Sequence, residues 1–405
     1  MNDAFVIEGA SVILPDRMAK VAVRIENGAI AALDGPRDGA RVIDGRGMIL
    51  AAAMIDIHGD AFERQMMPRP GVMIPTEAAL LETDRQLAAN GIATAYHALT
   101  LSWEPGLRSV ATGFEVVETL AAQALRLTVE NRVQLRWETF CFEALPLIEA
   151  ALAGPLMPAL AFNDHTTMGV LDSSCPLQTR PFDHDPAFPV VDMNSSAFAA
   201  KMEPRAKRSG MHVADFTALM RDMWKRRAEV PSAIAAAGAK ARTAGAPMLS
   251  HDDSQPETRD FYRSHGAGIS EFPMNTTVTR AAREAGDWIV FGAPNAARGG
   301  SHLGSPGSGD MVAAGLCDIL ASDYYYPAML IAVARLQADG IGRLPDLWKL
   351  VAANPAAALG LSDRGEIVLG KQADLVLLDW PEGSVPVVRH CFVKGRTAYG
   401  AIAAG

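Results

Sequence analysis

The chain has 405 residues, 49% hydrophobic and 20% charged, with a formal net charge of −9 at pH 7. This composition suits a globular protein with a large core, and the length suits an α/β barrel with an appendage better than one ordinary domain. The negative charge argues against nucleic acid or an anionic membrane surface as a partner, and no uninterrupted apolar run reaches membrane-spanning length.

A polyanionic substrate would therefore have to be met by a local cluster of Arg, His or metal. The four cysteines, Cys141, Cys175, Cys317 and Cys391, lie far apart with no C-x-x-C, which favours free thiols in a reducing compartment. Met1-Asn2-Asp3-Ala4 carries no basic region or signal core, so the expected location is the cytoplasm.

The first fifty residues read as short strands, Ala4 to Leu14, Lys20 to Glu26, Ala29 to Leu33 and Arg41 to Asp44. Asn27-Gly28, Asp34-Gly35 and Asp44-Gly45 mark turns between and after them. Met48 to Ile57 reads as a buried strand. A helix is predicted from an N-cap at Thr76 to a stop at Asn90-Gly91. Strands are then predicted around 92–100, 133–140, 157–164, 246–251, 268–273, 288–294 and 318–323. With the strand ending at His58 they make eight. Strands alternating with helical segments imply a parallel sheet, and eight units suggest closure into a barrel. The alanine-rich stretches Ala233 to Ala241 and Ala352 to Ala358 read as helix. After Asn354-Pro355 the chain turns β-like again, with strands at Ala373 to Leu378 and Val387 to Val393. The expected class is α/β, a distorted (β/α)₈ TIM barrel over 53–355. A small β-sandwich, built from residues 1–52 and 356–405, would flank it.

Residues two apart in a strand share a side, so His58 and Asp60 can face one metal ion, with Asp56 as a candidate third ligand. Strand ends supply Glu138, Asp164-His165, His251-Asp252-Asp253 and Asp323. C-terminal strand ends are where α/β barrels place their chemistry. Imidazole and carboxylate together suit Zn²⁺, Mn²⁺ or a related divalent ion, and a bridging carboxylate would hold two. For any one of these residues the alternative is a helix N-cap or a satisfied polar group. Asp164, Asp252 and Asp253 are the ones that this alternative fits best, as caps or as partners of the neighbouring histidines. What it leaves unexplained is one ligand type after another on separate strands.

The order of these motifs resembles the amidohydrolase superfamily, and within it the PhnM family of phosphonate metabolism. The matching segments are Asp56-Ile57-His58-Gly59-Asp60 with Glu63-Arg64, Pro68-Arg69-Pro70-Gly71-Val72, Leu135-Arg136-Trp137-Glu138 and Asp164-His165-Thr166. They continue with Ser250-His251-Asp252-Asp253, Glu271-Phe272-Pro273, Gly292-Ala293-Pro294-Asn295, Arg298-Gly299-Gly300-Ser301-His302 and Ala321-Ser322-Asp323-Tyr324. The resemblance implies a diphosphatase that cleaves α-D-ribose 1-methylphosphonate 5-triphosphate to the 5-phosphate and pyrophosphate. It also implies one or two divalent ions, zinc first, with manganese or magnesium as alternatives. His58, Asp60 and Asp323 would hold one ion, and His165 and His251 the other, with Glu138 bridging and Asp323 as general base. The chain departs from the family at Thr167-Met168-Gly169 and through Val170 to His212, the stretch expected to form a loop over the site.

Arg64, Arg69, Arg298 and His302 are the expected substrate contacts, the arginines as phosphoryl clamps. Gly299 to Ser305 is a glycine-rich loop that lacks the Gly-Lys-Ser/Thr of a P-loop. His97 is open between barrel core and site. His184, His212, His265 and His390 read as structural, and Tyr324 to Tyr326 as packing at the mouth. The expected partner is a small phosphorylated sugar, with no nucleic acid or membrane and with a homo-oligomer left open. Two rivals are an amidohydrolase that cleaves the C–N bond of an acyl or cyclic amide with the same metal site, and a non-catalytic binding subunit.

Overall fold

The computed structural model describes residues 4–300, 304 and 306–401. Eight parallel strands form its centre, Met54–Gly59, Ile92–Leu101, Glu130–Glu138, Ala159–Asn163, Met248–His251, Ile269–Glu271, Trp288–Gly292 and Ile319–Ala321, paired in chain order. The sheet closes where Gly59 bridges Asp323. There Asp323 N donates to His58 O and Asp60 N donates to Asp323 O, both at 2.9 Å. This is a (β/α)₈ barrel, and its strands fall at the predicted ordinals.

Ile55, Ile57, Leu249, Ile269, Val290 and Ile319 fill the barrel interior, with Leu359 and Leu361 packed among them. Parallel strands covered on both faces read as near-continuous apolar runs, which is why most of them are visible in the sequence. The third strand differs. Val133, Leu135 and Trp137 pack outward with residues of the surrounding helices, so the period of two sends Gln134, Arg136 and Glu138 inward as a polar column.

Two sheets form the flanking sandwich. One has four strands in the order Ala29–Leu33, Val23–Glu26, Phe5–Glu8, Arg41–Asp44. The other has six, Arg396–Gly400, Val387–Val393, Leu375–Asp379, Ile49–Ala52, Ser11–Ile13 and Met18–Ala19, and so draws on both ends of the chain. Phe5 of one sheet meets Phe392 of the other with ring centroids 5.1 Å apart.

Three local expectations need correction. The run Ala4 to Leu14 is two strands in different sheets, because Gly9, at φ 79°, turns the chain between them. A Cβ at Gly9 would lie 2.6 Å from Arg46 Cγ. The run Met48 to Ile57 also divides. Ile49–Ala52 pairs in the sandwich and Met54–Gly59 in the barrel, with Ala53 N donating to Asp374 O. Thr76 is the first residue of its helix rather than the cap. It is buried, and Pro75 stands at the cap without a side-chain bond.

The departing stretch is not a plain loop. It contains the helix Ser196–Arg208, which packs with Val213–Trp224 through Phe198, Met202, Phe216 and Met220. Arg180, buried with Asp183, donates to Asp252 O at 2.7 Å and fastens this stretch to the end of the fifth strand. No helix among the described residues is long and apolar enough to cross a membrane. Cys141, Cys317 and Cys391 are buried free thiols, and Cys175 is a half-buried one.

Candidate metal centre

The polar strand ends converge at one mouth of the barrel. Register between the first and second strands slips between Asp56 and Gly59. Such a slip breaks strict alternation, so Ile57 can stay in the core while His58 joins the mouth. Asp56 is not free to be a ligand there. Its Oδ1 accepts from Ser322 N at 3.0 Å and His58 N at 3.3 Å, and its Oδ2 accepts from Ser322 Oγ at 2.5 Å. The carboxylate stitches the first strand to the eighth.

Among the described residues, three sets of ligand atoms lie within 4.8 Å of one another. They are His58 with Asp60 and Asp323, His165 with His251 and Asp252, and His58 with His251 and Glu271. The first is the set that the resemblance implies for one ion. In the second, Asp252 stands where Glu138 was expected. Glu138 Oε1 accepts from Thr166 N and Oγ1, at 3.2 and 3.3 Å. Its Oε2 accepts from Asn163 Nδ2 at 3.2 Å and stands 3.6 Å from His165 Nδ1. It belongs to the His165 side and to none of the three convergent sets.

Asp164 caps the helix His165–Val170, accepting from Thr167 N at 2.7 Å. Asp253 accepts from Ser250 Oγ and faces Arg259. Asp252, Phe272 and Asp323, each following a strand end, hold φ values of 59°, 53° and 54°. Asp tolerates this left-handed region, whereas for a bulky aromatic it is an outlier. Such strain persists where the surroundings fix it, often at functional sites.

Burial together with the Arg136 charge holds His165 well below its ordinary pKa. Burial also lowers His251, outweighing the pull of Asp252. Neutral imidazole is the ligand form. At His58 burial acts downward as the largest single influence, but Glu271 and Asp60 together outweigh it and the net shift is up. Burial, then the charge of Asp164, pushes the Glu138 carboxyl up. The donor set fits a divalent ion, because His58 Nδ1 and both ring nitrogens of His251 are buried without a hydrogen-bond partner.

Burial, then the Asp60 charge, pushes Asp323 up to about 6. A carboxyl raised in the fold stabilises the metal-free protein below its unfolded pKa of about 4, and that contribution is lost as pH rises through about 6. Asp323→Asn removes the group. Without metal, the variant should therefore gain stability relative to the parent between pH 5 and 7, as read by urea midpoints. A difference independent of pH would show that Asp323 does not titrate there.

The expected substrate contacts divide. Arg64, Arg69 and Arg298 are all exposed. Arg64 Nη2 donates to Tyr324 O at 2.5 Å. His302 lies outside the described residues, as does most of the glycine-rich loop around it. His97 is buried against Phe62 and Asn131, outside the three ligand sets. Tyr326 is buried, while Tyr324 and Tyr325 are exposed.

Two residues without an assigned role stand in the mouth. Glu271 is wholly buried and accepts from Gln134 Nε2 at 2.9 Å. Arg136 is buried, with Nη1 3.9 Å from Asp60 Oδ2 and Nε unpartnered. The alternation through 133–138 was the available signal for Arg136. For Glu271 it was a carboxylate ending an apolar run. Arg205, from the departing stretch, donates to His165 O at 3.3 Å and pairs with Glu104.

No protein-family model matches the chain. The fold is that of amidohydrolases. It resembles the crystal structure of an amidohydrolase over 98% of this chain and 100% of the other, with TM-score 0.60 and 15% identity. An adenosine deaminase from Xanthomonas campestris with bound zinc matches over 97% of this chain and 92% of its own, with TM-score 0.62 and 13% identity. In sequence, the chain is 27% identical over 406 residues to the alpha-D-ribose 1-methylphosphonate 5-triphosphate diphosphatase of Escherichia coli (strain K12). That similarity covers 97% of this chain and 100% of the relative.

Proposed function

We propose that the chain is a metal-dependent hydrolase of phosphoanhydrides, cleaving α-D-ribose 1-methylphosphonate 5-triphosphate to the 5-phosphate and pyrophosphate. The observation that carries this reading is the end-to-end similarity to the Escherichia coli diphosphatase. The convergent ligand sets support the metal dependence.

His58, Asp60, His165, His251, Asp252 and Asp323 would supply ligands for up to two divalent ions, with Glu138 beside His165. A bound divalent ion supplies Lewis acidity and brings the pKa of a water toward neutrality. Asp323 accepts the proton of the attacking water as general base. Arg136 lies behind Asp60, where its guanidinium faces developing phosphoryl charge. A triphosphate would draw on cations beyond the metal, and Arg64, Arg69, Arg298 and His302 are proposed to supply them.

The rival is cleavage of an acyl or cyclic amide, which the amidohydrolase fold also accommodates. A neutral amide has no use for rim arginines. Purified protein should release pyrophosphate from 5-triphosphorylated ribosides and leave neutral acyl amides intact. Arg69→Ala should lower kcat/KM by about 1.5–3 kcal/mol, the scale of a charge-assisted hydrogen bond. Efficient turnover of an N-acyl or cyclic amide, with Arg69→Ala indifferent, would overturn the proposal. Weak turnover of both classes would locate a changed substrate in the 170–212 stretch.

A further inference from the structure

We infer that the innermost metal position of the mouth is formed by His58, His251 and Glu271, with Glu271 as a direct ligand. The inference rests on the reading that the mouth binds divalent ions and identifies which residues hold the deepest one. These three side chains are buried at the base of the cluster, and their ligand atoms converge.

Glu271 Oε2 stands 3.1 Å from His58 Nδ1, yet Nδ1 makes no hydrogen bond. The oxygen must therefore lie off the N–H axis. Two atoms this close and not aimed at each other can both be aimed at a third point. Ligands 2.0–2.1 Å from a tetrahedral zinc stand roughly 3.3–3.4 Å apart, so the observed separation is close to one edge of such a site. His251 supplies a third donor, with its ring centroid 5.4 Å from that of His58, its Nδ1 2.8 Å from Asp252 Oδ2 and its Nε2 buried without a hydrogen-bond partner.

The surroundings hold this geometry. Gln134 Nε2 donates to both Glu271 oxygens, at 2.9 and 3.2 Å, and to Ile57 O at 3.2 Å. It orients the carboxylate without using up its lone pairs. Phe272 sets its ring edge-on to both imidazoles, 5.0 and 5.1 Å away, from its left-handed backbone position. A structural role alone does not account for a wholly buried carboxylate set off the hydrogen-bonding axis of His58 Nδ1, beside a His251 Nε2 that is buried without a partner. Two imidazoles and a carboxylate suit Zn²⁺ and leave a fourth position open toward the mouth. Asp60, Asp323, Asp252 and His165 then form an outer rim for a second, more exchangeable ion.

The test is Glu271→Gln, close to isosteric and able to keep one hydrogen bond from Gln134. Wild-type and variant proteins are loaded with Zn²⁺ or Co²⁺, dialysed against a weak chelator, and read by elemental analysis, Co²⁺ absorption and metal-induced Tm shift. The wild type should keep at least one equivalent. The variant should lose it, with affinity weakened beyond the roughly 10–100-fold typical of an outer-shell change. Its metal-free Tm should be no lower than that of the metal-free wild type, while most of the Zn²⁺-induced shift disappears. An ion retained with an unchanged Co²⁺ spectrum would overturn the assignment, as would a loss within the outer-shell range with that spectrum intact. Should the Gln variant fail to fold, Glu271→Asp keeps the charge and must alter the Co²⁺ bands, and an unaltered spectrum would overturn it equally. A wild type that binds no ion at all sinks the metal reading of the mouth, and this inference with it.

Discussion

Asp323→Asn is expected to lower kcat by a factor on the order of 10² or more, the scale of lost general-base catalysis, while the fold survives. The seam of the barrel uses the backbone of Asp323, not its side chain, through Asp323 N to His58 O and Asp60 N to Asp323 O. The residue sits at φ 54°, a conformation that Asn tolerates as well as Asp. The substitution thus removes the proposed proton acceptor and a charged candidate ligand atom but neither of those bonds. Kinetics at saturating metal separate the two losses. Activity within a few-fold of the parent would mean that another group takes the proton.

His251→Ala is expected to lower metal content strongly, because His251, like His58, belongs to two of the three convergent sets. Protein purified without chelator should carry between one and two equivalents of a divalent transition ion. The variant should keep a small fraction of that, a larger loss than the roughly 10–100-fold that accompanies removal of an outer-shell partner. His165→Ala should lower the content less, since His165 stands in one set only and is partly exposed. His97→Ala, outside the cluster, should leave it unchanged. Undiminished metal in both the His165 and His251 variants would remove those residues from the ligand list.

The barrel was legible because its strands are buried on both faces and read as apolar runs between polar loops. The candidate ligands stood out for a related reason, as imidazoles and carboxylates standing where those runs stop. What the runs could not show was where one sheet gives way to another. Met48 to Ile57 is apolar throughout nearly its whole length, and only the pairing of Leu50 with Leu377 and of Met54 with Ile92 separates sandwich from barrel.

Side-chain partners distant in sequence were equally hidden. Asp56 reads as a ligand beside His58, but Ser322, 266 positions away, occupies its carboxylate. Glu271 acquires its meaning from Gln134 and His58 on the third and first strands. Arg136 was visible as the middle of a polar column, yet its approach to Asp60 exists only once the barrel closes. The stretch from Val170 to His212 spends its apolar residues on a cluster of its own, and Arg205 and Arg180 tie it to the site through backbone carbonyls. A bond to a carbonyl leaves no mark in the residue types at either end.

The reading as a whole stands on metal-dependent cleavage of a phosphoanhydride. The most direct measurement follows pyrophosphate release from a 5-triphosphorylated riboside by one protein sample, as purified, after chelation, and after return of Zn²⁺ or Mn²⁺. Release should be present at first, fall to background as the measured metal is removed, and return in proportion to the metal restored. Undiminished release from metal-free protein, or no release from protein carrying its full complement of metal, would contradict it.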